Sequence, residues 1–108
     1  MRLDLATSEA AFDILLALSY GPSHGYAMIK TIQAHRQGRT MQPGLLYTTL
    51  PKLLEAAWIR EHASLKDSTD KRRKYYELTA DGRAALVAEA DRRLVMAQQL
   101  RDVVRALP

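Results

Sequence analysis

The last third of the chain limits its fold most. After Thr79, apolar residues recur at intervals of three and four: Val87, Ala90, Leu94, Ala97, Leu100, Val104 and Leu107. That spacing predicts one helix running to about Leu107. The Thr79 hydroxyl can accept from an orphan amide of its first turn, and Asp81 adds favourable charge there. A terminal helix of more than 25 residues with such a seam suits packing between subunits. Residues 1–78 then hold the single core that a chain of 108 residues can build, and residues 79–108 form a dimerisation helix. Folding at this size buries about two-thirds of the chain surface, so a modest core or an oligomer is expected.

The first 78 residues divide by period. Ser8 to Tyr20 reads as a helix capped by Thr7 or Ser8. Ala11, Ile14, Leu15 and Leu18 form one stripe, with Phe12 and Leu16 widening it. So broad an apolar face predicts cover on more than one side, and Leu15 and Leu18 are expected to meet a partner subunit. Gly21-Pro22 turns the chain into a second helix, His24 to Arg36, ended near Gly38. Residues 39–42 form a short extended link, and Pro43 suits the first position of a third helix, 43–57. Leu46, Leu50, Leu53, Leu54 and Ala57 are its apolar stripe. Gly44, Thr48 and Lys52 take the opposite face, with Thr49 alongside. Pro51 removes a helical hydrogen bond, at about 3 kcal/mol, and predicts a kink or break near Thr48–Leu50. Residues 58–65 and 73–78 alternate and pair as a hairpin, with Tyr76 and Leu78 inward, across the polar turn 66–72.

Composition removes several functions. Without cysteine there are no disulfides, no thiolate zinc site and no thiol catalysis. His24, His35 and His62 lie on different elements without ligand spacing, so no metal is expected. There is no Gly-rich phosphate loop and no nucleophile elbow, so neither enzyme nor cofactor is expected. No apolar run reaches membrane length and the first residues lack a signal-peptide pattern, which predicts a soluble cytoplasmic protein with no membrane partner. The net charge of +4 is unevenly spread. Residues 36–74 hold nine basic and four acidic side chains, net +5, while residues 75–108 are neutral. A basic excess confined to one segment points to a polyanion such as double-stranded DNA.

Three helices, a hairpin and a terminal helix make a mainly α fold with a small β-hairpin: a winged helix-turn-helix plus a long C-terminal dimerisation helix. The third helix would enter the major groove and the KDSTDKRRK tip would be the wing. The residues Gly21-Pro22, His24-Gly25-Tyr26, Pro43-Gly44, Leu46-Tyr47, Leu50, Leu53-Leu54-Glu55 and Tyr75-Tyr76-Glu77-Leu78-Thr79, then Gly82-Arg83, strongly resemble the PadR-like transcriptional regulators. The resemblance covers about residues 12–90, in order and spacing, and is to the smaller subclass with a single C-terminal helix. It implies a bacterial homodimeric repressor, cytoplasmic and nucleoid-associated when bound, on a pseudo-palindromic operator. It also implies release by a small molecule, a hydrophobic or aromatic effector at the dimer interface. The chain departs from the family at Gln42, where a small hydroxyl caps the reading helix, and at Pro51, where a polar or basic residue is usual.

Thr48, Thr49 and Lys52 are expected at base edges or phosphates. Gln42 precedes a helix N-terminus that favours phosphate. Tyr26 and Tyr47 match positions where the family places hydroxyls on the DNA backbone, although both also suit half-buried packing. His24 reads better as a turn or cap residue than as a phosphate donor. Lys71, Arg72, Arg73 and Lys74 are wing contacts. Dimer contacts are expected from Leu15, Leu18, Val87, Ala90, Leu94, Ala97, Leu100 and Val104, with Val95 and Met96 off the seam and available to a pocket. Trp58 is either core at the wing's start or a stacking surface for a flat ligand. The competing function is a winged-helix protein-interaction module without specific DNA binding.

Overall fold

A computed structural model describes residues 3–6, 8–36, 40–62 and 73–108. Its elements are α1 (Glu9–Leu18), β1 (Ser23–His24), α2 (Gly25–His35), α3 (Pro43–Glu55), β2 (Ile59–Glu61), β3 (Tyr75–Leu78) and α4 (Ala80–Arg105). The antiparallel sheet has the order β1-β3-β2, with Ser23 opposite Tyr76 and Ile59 opposite Leu78. The hairpin is therefore present, but it gains a third strand. Two residues are too few to show a period, so β1 has no signature in the sequence.

The helix ends follow their capping chemistry. Ser8 accepts from the Ala11 amide at 3.2 Å, and Thr79 accepts from the Gly82 amide at 3.0 Å. His24 caps α2, its Nδ1 accepting from the Ala27 amide at 3.3 Å. Gln42 makes no side-chain cap, and Pro43 takes the first position of α3. The end of α3 is a Schellman motif: the Trp58 amide donates to the Leu53 carbonyl and the Ala57 amide to the Leu54 carbonyl. Ala57 stands at φ +60°, a left-handed position where glycine is usual.

The core lies between α1, α2 and α3. Ala11, Ile14, Leu15 and Leu18 of α1 are buried with Met28 and Ile32 of α2, and with Leu46, Leu50 and Leu53 of α3. Met41 is buried too and anchors the short link between α2 and α3. This corrects the expectation for Leu15 and Leu18. They are 0% and 2% exposed within one protomer, because α2, α3, β3 and α4 already cover α1. The helix also runs unbroken through Pro51, which lies on its exposed face. Burying three leucines at roughly 2 kcal/mol each outweighs the roughly 3 kcal/mol cost of one internal proline.

Helix α4 joins this body by close backbone approach and by charge. A Cβ on Gly82 would overlap the Trp58 carbonyl oxygen, and Thr79 holds the same turn by donating to the Ala57 carbonyl. Further along, Glu89 is 6% exposed and receives Arg92 at 2.8 and 2.7 Å and Arg93 at 2.7 Å. Arg93 also reaches Glu9 of α1 at 2.6 Å and lies over the Phe12 ring at 3.7 Å. Arg36, just past α2, bridges Glu9 and Asp13, each at 2.6 Å. The chain of charges ties α4, α1 and the end of α2 together.

Hydrogen bonds from Arg92, then Arg93, hold the Glu89 carboxyl down from 4.5 to about 2. A lowered carboxylate pKa stabilises the fold above the unfolded value and loses that contribution as pH falls through the folded one. The thermal midpoint should therefore drop between pH 4.5 and 2. Glu89→Gln should melt lower at pH 7 and show a smaller acid drop, both read by circular dichroism. Ala57→Gly should raise the midpoint by about 3–6 °C, because glycine relieves the left-handed strain. Gly82→Ala should cost more than about 3 kcal/mol, since the Trp58 backbone cannot yield to the added carbon.

Candidate nucleic-acid interface

The orientation of α3 follows from which of its residues are buried. Leu46, Thr49, Leu50 and Leu53 face the core, so the opposite side carries Gly44, Thr48, Pro51 and Glu55, with Tyr47 and Lys52 at its flanks. All six are exposed. Thr49 is thereby corrected as a DNA contact. It is 5% exposed, and its hydroxyl donates to the Leu45 carbonyl at 2.7 Å. Three residues past Leu46 and four before Leu53, it takes the core position that the leucine count gave to Leu54, which is 38% exposed.

Tyr26 and Tyr47 are each 60% exposed. A Cβ on Gly25 would come within 2.7 Å of the Tyr47 hydroxyl, so α3 meets the start of α2 closely at a residue without a side chain. Tyr26 stands beside this contact with the Lys30 ammonium 5.3 Å over its ring. The sequence reading passed over Lys30, whose signal was its place four residues after Tyr26 on the same helix face. Tyr47, Thr48 and Lys52 are exposed on α3, and Tyr26 and Lys30 are exposed on α2. Lys52 makes no ion pair among the described residues. Gln42 and Thr40 are exposed just before the α3 N-terminus.

The base of the wing is less basic than its sequence. Arg60 donates to Glu77 at 2.7 Å, and Lys74 lies 3.5 Å from Glu61. Arg73 and Lys74 are exposed, whereas Lys66, Lys71 and Arg72 fall outside the described residues. Arg36, counted in the basic segment, is committed to Glu9 and Asp13. Cross-strand and interhelical pairing thus absorbs part of the +5, and a charge tally along the chain cannot see it.

On α4, Gly82, Leu86 and Glu89 face the body. Val87, Ala90, Leu94, Ala97, Leu100 and Val104 are all exposed, as are Val95, Met96 and Val103. Trp58 is half-buried against the core, and its indole borders a cleft of about 580 Å³ lined also by Leu5, Ala85 and Arg92. Among the described residues no cluster of side chains could hold a metal ion, and no helix is long and apolar enough to cross a membrane.

Comparison with known proteins agrees with this geometry. The solved structure of a transcriptional regulator from Clostridium thermocellum superposes with a TM-score of 0.75 at 20% identity, covering 94% of this chain and 96% of that one. A PadR family transcription regulator from hypervirulent Clostridium difficile R20291 gives 0.76 at 22% identity, over 90% and 99% of the two chains. A protein of Streptococcus mutans UA159 gives 0.72 at 26% identity, over 90% and 87%. No curated protein matches by sequence. The model of the transcriptional regulator PadR-like family matches residues 14–88. That stretch contains the whole of α2 and α3, both wing strands and the start of α4, and the chain belongs to the PadR-like family of transcriptional regulators, DNA-binding proteins that are not enzymes.

Proposed function

We propose that this regulator is a ligand-responsive homodimeric repressor that places α3 of each protomer in one major groove of a pseudo-palindromic operator. The observation that carries this reading is the outward face of α3. It is exposed from Gly44 to Glu55, rimmed by Tyr26, Tyr47 and Lys52, and held rigid by its buried opposite side. A major groove about 12 Å wide admits such a helix. Gln42, Tyr47, Thr48 and Lys52 are the contacts of α3, Tyr26 touches the backbone beside it, and Lys71, Arg72, Arg73 and Lys74 are those of the wing.

The second protomer is argued from α4. Its body-facing positions Gly82, Leu86, Glu89 and Arg93 continue at the same spacing as Met96, Leu100, Val103 and Leu107. The first four lie against the body, while the last four are exposed and apolar. A second copy would cover that stripe and the adjoining Val87, Ala90, Leu94, Ala97 and Val104. Two-fold symmetry then sets the half-sites about one helical turn apart, roughly 34 Å. Residues 1–78 act as the reading unit and residues 79–108 as the dimerisation helix. For the effector, a cleft of about 500 Å³ along α4, lined by Ala88, Arg92, Val95 and Met96, adjoins the one at Trp58. A hydrophobic or aromatic molecule held there in the dimer would alter the angle between the two reading helices. It can do so only by binding one arrangement more tightly than the other.

Salt-titrated binding to the gene's own upstream DNA tests the reading. A specific footprint is expected, with a slope of log affinity against log salt of about −0.9 per neutralised phosphate. A slope near zero, or no footprint, would instead favour a protein-docking module. Lys52→Ala should relax sequence preference, whereas Arg72→Ala/Arg73→Ala should weaken all sequences alike. Leu94→Asp and Leu100→Asp should each yield monomers by sedimentation, and persistence of a dimer would contradict the assignment of α4.

A further inference from the structure

On the reading that α3 enters the major groove, we propose that its centre reads thymine 5-methyl groups, and that the Thr48 methyl and the Pro51 ring are the reading groups. The strip opposite the core runs Gly44, Thr48, Pro51, Glu55. Two of these have no polar side-chain atom. Gly44 has open space within 4 Å of where its Cβ would stand, so the helix backbone can approach the bases at its first turn. Pro51 offers an apolar ring and no amide hydrogen.

Thr48 appears polar in the sequence, but its hydroxyl is already used. It donates to the Leu45 carbonyl at 3.1 Å, the carbonyl that also receives the Thr49 hydroxyl at 2.7 Å. The methyl and hydroxyl share one tetrahedral carbon. Drawing the hydroxyl back onto the helix turns the methyl away from it. The middle of the reading face therefore presents carbon and no spare donor.

Among the base edges in the major groove, only thymine displays a methyl group, and cytosine carries an amino group instead. A carbon surface at that depth favours thymine and leaves a cytosine amine or a guanine oxygen without a partner. Glu55 closes the strip with a carboxylate that phosphates repel, which confines base contact to residues 44–51. Lys52 and Tyr47 at the flanks are left for backbone or purine contacts.

The test begins with an operator selected by the full-length chain from random duplex DNA. Thymines in it are then replaced by uracil, which removes only the methyl. Each half-site should contain a thymine at which this swap weakens wild-type binding about fourfold, the partition of one methyl-sized group. Thr48→Val keeps the methyl without the hydroxyl and should bind within about twofold of wild type. Thr48→Ser keeps the hydroxyl and should bind as weakly as wild type does on uracil DNA, indifferent to the swap. Pro51→Ala should remove the uracil effect at the neighbouring thymine alone. Both side chains altered, Thr48 and Pro51, are exposed, so folding is not at stake. Uracil without effect at every position would overturn the proposal while leaving groove binding intact. So would a Thr48→Val variant that loses binding while Thr48→Ser retains it. Failure to enrich any sequence would contradict the groove reading and the proposal with it.

Discussion

Burial of one side of α3 against α1 is the contact on which everything else depends. Leu46, Leu50 and Leu53 have no route to the core except this orientation, and Ile14 and Leu15 have no exposure left to offer anything else. Once that face is fixed, the outward direction of Thr48 and Lys52 is fixed with it. The buried Met41 sets the short link to α2. The Schellman turn at Ala57 then starts the wing strand at a defined angle, with the Trp58 carbonyl accepting from Thr79 to receive α4. Helix α3, the wing and α4 thus leave one core at three prescribed directions.

The second constraint is electrostatic and links the parts. Arg36 follows α2 and precedes the link to α3, while Glu89 and Arg93 lie on α4. Through Glu9 and Asp13 these charges form one connected set. Buried or half-buried charges are costly unless paired, so the set has few alternative arrangements. It joins the helix proposed to pair with its copy to α1, which packs on the helix proposed to read DNA. A change in the angle of α4 would have to rearrange it.

Much of this was legible in the residues. Leu46, Leu50 and Leu53 of the α3 stripe, the caps Ser8 and Thr79, Pro43 at a helix start and the antiparallel pairing of the two wing strands all follow from local rules, and the structure shows each. Most of the failures depend on contacts distant in sequence, whereas that at Thr49 lies within one helix. Leu15 and Leu18 were assigned outward because a broad apolar face says how much is covered and not by what. Thr49 was assigned to the groove because hydrophobicity ranks Leu54 above it, although helix geometry places Thr49 inward and Leu45 satisfies its hydroxyl. The strand β1 exists only because β3 lies beside it. The ion pairs of Arg36, Arg60 and Lys74 span residues far apart in the chain, so the basic segment promised more free charge than the folded surface carries.

The central claim is that the face of α3 opposite the core lies in the major groove. The absence of native cysteine allows one to be placed at will. With Glu55→Cys carrying a tethered iron-EDTA cleavage reagent, the account predicts two short clusters of strand scission per operator, symmetric about its centre and about one helical turn apart. The same reagent at Val95→Cys on α4 should leave the DNA uncut. Diffuse cutting from position 55, or cutting no stronger than from position 95, would contradict it.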